Sequence, residues 1–151
     1  MAAGSLLKPT VGIKIYGPTA GSGGMLMQTR AYLIAKGENA QNMPLYGQEM
    51  NLNTWAIYKM NMFVHGVFNA NIRKGDTLGD PQQTRGGDLV SFDRLIANTP
   101  FSLKKRAKEG ADSDPYGRYP YGTPPKDSGD LAFIHHMIAS LNAEGEMGYV
   151  K

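Results

Sequence analysis

Four short stretches of this 151-residue chain carry residue types that can do chemistry together. The first is GPTAGSGGML, residues 17–26, where Gly21, Ser22, Gly23 and Gly24 let the main chain bend sharply. Backbone N–H groups at the start of a following helix can then approach a bound molecule. The second is Glu49, a carboxylate able to accept hydrogen bonds from a ribose diol. The third is Asp76 in KGDTL, which can accept from an adenine amino group or simply close a turn beside glycine. The fourth is Asn98-Thr99-Pro100-Phe101. It offers an amide carbonyl, a main-chain carbonyl fixed by the proline that follows, and an aromatic face. That set can hold an exocyclic amine and stack on its ring, as a pocket for a base extruded from a nucleic-acid helix must. Phe101 taken alone reads more readily as a core aromatic at a strand end.

The glycine run fits none of the better-known loops. A phosphate-binding P-loop needs Gly-Lys-Ser/Thr and there is no lysine here; the dinucleotide fingerprint needs glycine where Leu26 sits; a nucleophile elbow needs glycine where Ala20 sits. A tight turn between strand and helix remains the plain alternative to a ligand loop.

The elements that must position these residues alternate. Residues 11–16 (VGIKIY) read as a strand, and residues 24–36 carry Leu26, Leu33 and Ile34 at helical spacing before Gly37 stops the run. Residues 44–49 read as a second strand. Asn53 is then a plausible N-cap for a helix in which Trp55, Ile57, Met60, Phe63 and Val64 would be buried, ended by Gly66. Residues 70–74 make a weaker strand, residues 82–87 a polar turn, and residues 88–97 another strand built around LIA. Residues 102–129, rich in Gly, Pro, Lys and Tyr, read as a long loop inside one domain spanning 1–151. Residues 130–141 are amphipathic, and AEGEMGYVK reads as a last strand. This alternation implies an α/β sandwich with a mostly parallel sheet, whose ligands bind at the carboxyl ends of the strands.

Composition removes several classes. Without cysteine there are no disulfides, no thiol nucleophile and no thiolate metal site; His65, His135 and His136 lack the i, i+4 spacing of helical metal ligands. No window approaches the ~18–20 apolar residues of a membrane helix, and the first residues lack a secretory pattern, so a cytoplasmic protein without a membrane partner is expected. A net charge of +3 permits an anionic partner without requiring one. Lys104, Lys105, Arg106 and Lys108 could meet the phosphates of an anionic partner or form a solvated helix face. Tyr116, Tyr119 and Tyr121 could line a cleft or pin their loop to the sheet.

Taken in order, LLKPTVGIKIYGPTAGSGGML, LYGQEMNLNTWAIYKMNM, IRKGDTL, LIANTPF and YGTPPKDSGDLAFIHHM resemble successive blocks of the modification (M) subunit of type I restriction-modification systems. That family consists of adenine-N6 DNA methyltransferases dependent on S-adenosylmethionine. The resemblance implies a Rossmann-like three-layer α/β/α sandwich, here a partial catalytic core. It implies a cofactor loop at Gly17, Pro18, Thr19, Gly21, Ser22 and Gly23, with Glu49 on the ribose and Asp76 at the adenine. Asn98, Thr99, Pro100 and Phe101 would be the catalytic tetrad, with Lys104, Lys105 and Arg106 beside the DNA. Double-stranded DNA and the specificity and restriction subunits are the implied partners. Two positions depart from the family pattern: Gly17 stands where an aspartate usually helps hold the cofactor's methionine end, and Thr99 where the tetrad usually has its first proline. A non-catalytic or decayed copy that keeps the fold and a nucleotide pocket is the alternative, and a dehydrogenase-like α/β enzyme a third reading.

Overall fold

The computed structural model describes residues 7–10, 12–99, 111–125 and 128–150. In chain order the elements are β1 (Ile15–Gly17), α1 (Gly24–Ala35), β2 (Leu45–Glu49), α2 (Leu52–Val64), β3 (Asn71–Lys74), β4 (Thr84–Arg85), β5 (Asp88–Leu89), β6 (Phe92–Asn98), α3 (Gly129–Ala139) and β7 (Leu141–Val150). Five strands form one parallel sheet in the order β3-β2-β1-β6-β7. The chain runs outward from β1 to β3 and then returns to the other side of β1. The strand order therefore reverses between β1 and β6, the position where open α/β sheets leave a crevice for ligands.

Alternating side chains of the central strands feed two cores, as a sheet covered on both faces demands. Ile15, Leu45, Ile72 and Ile96 pack with Leu26 and Leu33 of α1 and with Tyr58 and Met62 of α2. Tyr16, Leu95 and Ala97, their immediate neighbours in sequence, point the other way and pack with Phe92 and with Met137 of α3. The three layers and parallel sheet expected from the alternation are thus present.

Local boundaries differ from the sequence reading in instructive ways. Asn51 rather than Asn53 caps α2: its Oδ1 accepts from the Thr54 N–H at 3.0 Å, so the helix starts one residue before Asn53. The buried face of α2 is Tyr58 and Met62, with Trp55 packed against the core; Ile57, Met60, Phe63 and Val64, expected inside, are 54–71% exposed. The helix is apolar nearly all round, so composition alone could not select the face that meets the sheet. Residues 82–87 are not only a turn. β4 and β5 pair antiparallel across Gly86 and Gly87, whose φ values of 64° and 94° give the doubly left-handed geometry of a tight hairpin. β1 is shorter than residues 11–16, since pairing begins only at Ile15. α3 ends at Ala139, and β7 begins at Leu141, earlier than AEGEMGYVK suggested. Its register against β6 shifts between Phe92 and Arg94.

Candidate active site at the strand ends

The loops that follow β1, β2, β3 and β6 enclose a cleft of about 360 Å³. This lies within the range of small-molecule sites, roughly 300–1,000 Å³. Its wall takes Pro18, Thr19 and Gly21 from the first loop, Glu49 from the second, Asp76 from the third and Asn98 with Thr99 from the fourth. Residues scattered over 80 positions of sequence thus meet because the sheet is parallel and all four strands end on one side.

Glu49 organises one half of the cleft. Its Oε2 accepts from the Gly21 N–H at 3.0 Å and its Oε1 from the Asn51 N–H at 2.8 Å, so one carboxylate ties the glycine loop to the start of α2. Each oxygen keeps further acceptor capacity toward the cleft. Gly21 adopts φ 55°, and a Cβ there would meet nothing within 4 Å: its glycine is required by backbone conformation, leaving open space above the loop.

The other glycines answer to a different neighbour. A Cβ on Gly23 (φ 84°) would lie 2.2 Å from Tyr58 Cδ2 and Cε2, and one on Gly47 would lie 2.8 Å from Tyr58 Cε1. Tyr58 thus wedges behind the loop, and the small residues at 23 and 47 admit that ring. Gly17 is buried with Leu26 beside its missing side chain, and Gly17, Ser22 and Gly23 do not line the cleft. Of the six loop residues the resemblance implied as cofactor contacts, Pro18, Thr19 and Gly21 face it.

Hydroxyl groups stitch the loops together. Thr19 Oγ1 donates to the Asn98 carbonyl at 3.0 Å, joining the first loop to the end of β6; Thr77 Oγ1 donates to the Pro18 carbonyl at 2.5 Å, joining it to the third. Asp76 closes its own turn, with Oδ1 accepting from the Leu78 N–H at 3.1 Å, while it also lines the cleft. Asp76 therefore closes its turn and stands in the cleft wall at the same time. Gln48, Met50, Gly75, Thr77 and Phe133 complete the lining and were not singled out in the sequence. Gln48 and Met50 flank Glu49 at a strand end, which is a usable signal; Phe133 comes from a distant helix, and nothing local marks it.

Beneath the cleft lies a buried polar chain. The Arg118 guanidinium, in the described stretch 111–125 between β6 and α3, pairs with Asp114 (Nε to Oδ1, 2.8 Å) and donates to the carbonyls of Thr77 at 3.0 Å and Leu78 at 2.7 Å. Its Nη1 also lies 3.3 Å from His136 Nδ1, and His136 Nε2 lies 3.2 Å from the Tyr16 hydroxyl. Because guanidinium only donates, Nδ1 accepts and the imidazole proton sits on Nε2. Burial, reinforced by the positive Arg118, pushes the His136 pKa down to about 3; burial likewise raises that of Tyr16. Tyr116 and Tyr119 flank the guanidinium, each ring centre 5.6 Å away, and Tyr119 also packs against Leu78, Ala132 and Phe133, whereas Tyr121 is 94% exposed. Of the histidine pair, His136 is buried and His135 half-buried. Pro100, Phe101, Lys104, Lys105, Arg106 and Lys108 lie outside the described residues.

The N-6 DNA methylase family model matches residues 2–151. The chain belongs to that family. It is similar to the type I restriction enzyme HindI methylase subunit of Haemophilus influenzae, with 34% identity over 143 residues, covering 94% of this chain and 31% of that protein. It is also similar to the type I restriction enzyme MjaVII methylase subunit of Methanocaldococcus jannaschii, at 32% identity over 83% of this chain and 22% of the relative. Among solved structures, the type I restriction-modification system methyltransferase subunit from Streptococcus thermophilus superposes with a TM-score of 0.81 at 30% identity, over 98% of this chain and 32% of that one. This N-6 DNA methylase chain therefore spans less than a third of the length of each of these relatives.

Proposed function

We propose that this chain is the catalytic core of the modification subunit of a type I restriction-modification system. It would transfer a methyl group from S-adenosylmethionine to the N6 amine of adenine in double-stranded DNA, alongside specificity and restriction subunits. One observation carries the reading. The Glu49–Gly21 half of the cleft and the Asn98–Thr99 half open on the same space and are joined by the Thr19 hydroxyl on the Asn98 carbonyl. A nucleoside donor and a purine acceptor held in these halves would face one another.

The residues present suit the cofactor at its nucleoside end. Glu49 has acceptor capacity for a ribose diol, Asp76 for an adenine amine, and Gly21 leaves room above the backbone. At position 17 the chain offers no carboxylate to the methionine end. When bound, S-adenosylmethionine would supply a methyl carbon on a positively charged sulfur, the carbon–sulfur bond breaking to leave a neutral thioether as the amine nitrogen bonds to that carbon, with the nitrogen's surplus proton passing to solvent. The protein's share is orientation. The Asn98 amide oxygen and the Thr99 main-chain carbonyl would accept the two amine hydrogens and turn the nitrogen lone pair out of the ring plane. Phe101 would stack on the extruded ring and Lys104, Lys105 and Arg106 would meet phosphates beside it. No step needs a thiol, in keeping with the cysteine-free sequence.

The test pairs calorimetry with product analysis. S-adenosylmethionine and S-adenosylhomocysteine should bind, NAD should not, and mass spectrometry of digested DNA should show N6-methyladenine that disappears with Asn98→Ala. NAD binding alone would favour a dehydrogenase-like enzyme, and cofactor binding with no methylated base would favour the non-catalytic alternative.

A further inference from the structure

Thr99 is 3% exposed, and its hydroxyl belongs to a short hydrogen-bonded chain. Tyr149 OH lies 2.6 Å from Thr99 Oγ1, which in turn donates to Asp130 Oδ1 at 3.4 Å. With Thr99 donating to Asp130, the Tyr149 hydroxyl is the donor to Thr99. Tyr149 stands on β7, where it pairs in register with Ala97, and Asp130 stands in the first turn of α3. Both anchors are therefore parts of regular elements flanking the end of β6. On the opposite side, the Asn98 carbonyl accepts from Thr19. The two residues at the acceptor end of the cleft are clamped from both directions.

We propose that Tyr149, assisted by Asp130, is a positioning residue: by holding the Thr99 hydroxyl it aims the Thr99 main-chain carbonyl at the acceptor amine. The proposal rests on the methyl-transfer reading above. Pro100 restricts the ψ of Thr99 to extended values, which leaves φ as its soft torsion. Threonine is branched at Cβ and stiff at χ1, so fixing Oγ1 fixes the Cα–Cβ direction and, with it, φ. A carbonyl that must accept a hydrogen bond only as the amine changes shape depends on that aim, because misplacement by a fraction of an ångström is felt in the transition state.

The test is a double-mutant cycle on the full chain with DNA and S-adenosylmethionine. Tyr149→Phe and Thr99→Val are each expected to lower kcat about 10-fold while leaving the cofactor KM within about twofold, the loss of one aligned hydrogen bond. Combined, they should cost no more than either alone. In a Thr99→Pro background, where the ring locks φ, Tyr149→Phe should change kcat by less than about twofold. Multiplicative losses of about 100-fold in the double variant, or an unchanged kcat with Tyr149→Phe, would overturn the proposal. If the unsubstituted chain transfers no methyl group, the methyl-transfer reading is what fails, and positioning is read from amide hydrogen exchange across residues 96–99. Tyr149→Phe should speed that exchange with Thr99 present and leave it unchanged in the Thr99→Val background; equal acceleration in both would count against it.

Discussion

The Glu49 carboxylate holds the Gly21 N–H at 3.0 Å, so the acidic group at the end of β2 and the loop after β1 are tied together at Gly21. Glu49→Gln keeps the size of the side chain but turns an amide NH2 toward one of the two backbone donors it now accepts. Affinity for S-adenosylmethionine is expected to fall about 10- to 100-fold, a hydrogen-bonded charge being worth roughly 1.5–3 kcal/mol. Calorimetry on the variant, with circular dichroism to establish that the fold is kept, decides it. Undiminished affinity would remove Glu49 from the cofactor site.

Gly21 and Gly23 separate two reasons for glycine. Gly21→Ala meets only backbone strain at φ 55° and is expected to cost about 1–2 kcal/mol. Gly23→Ala adds a collision with the Tyr58 ring and should cost about 2–4 kcal/mol. Urea denaturation of the two variants measures the difference; equal costs would mean that Tyr58 yields freely.

The Tyr58 hydroxyl is buried without a hydrogen-bond partner among the described residues. Burial alone raises its pKa. Tyr58→Phe keeps the ring that shapes the loop and removes the orphaned group, so stability should be unchanged or rise by up to about 1–2 kcal/mol. A clear loss in denaturation experiments would show that the hydroxyl is satisfied in solution.

His136 makes stability depend on pH. Its folded pKa, about 3, lies below the ordinary value of 6.5, so between these two values the unfolded chain binds the extra proton. The contribution is fully present above pH 6.5 and is lost as pH falls toward 3, with a slope approaching about 1.4 kcal/mol per pH unit. Denaturation midpoints measured across that window should fall more steeply for the native chain than for His136→Gln, which cannot take up the proton.

The outer face of α2 supplies a contrast. Met60→Glu and Phe63→Lys replace side chains that are 62% and 65% exposed and should change stability by no more than about 0.5 kcal/mol. Met62→Ala, two positions from Met60 and 2% exposed, should cost about 2–5 kcal/mol. Thermal melts of the three variants test whether α2 meets the sheet through Tyr58 and Met62.

Local pattern made the strand–helix alternation readable, and with it the parallel sheet. Asn98 could be placed at a strand end because the apolar run Leu95-Ile96-Ala97 stops there, and Glu49 because it lies between the short stretch PLYGQ and the start of the next helical pattern. The face of α2 could not, since apolar residues occur all round it and the choice was made by Tyr58 fitting against Gly23 and Gly47. Arg118 was hidden for a related reason: its partners His136, Thr77 and Leu78 come from elements 18 to 41 residues away, and in sequence it is one basic residue in a polar loop. The small residues of the first loop pointed correctly to a close approach, yet at Gly23 the approaching group is an aromatic ring of the protein itself.

Thr19 donates its hydroxyl to the Asn98 carbonyl across 79 residues of chain. The loop after β1 is thereby tied to the end of β6, so a molecule that ordered one of them would favour order in the other, and by the same factor in either direction.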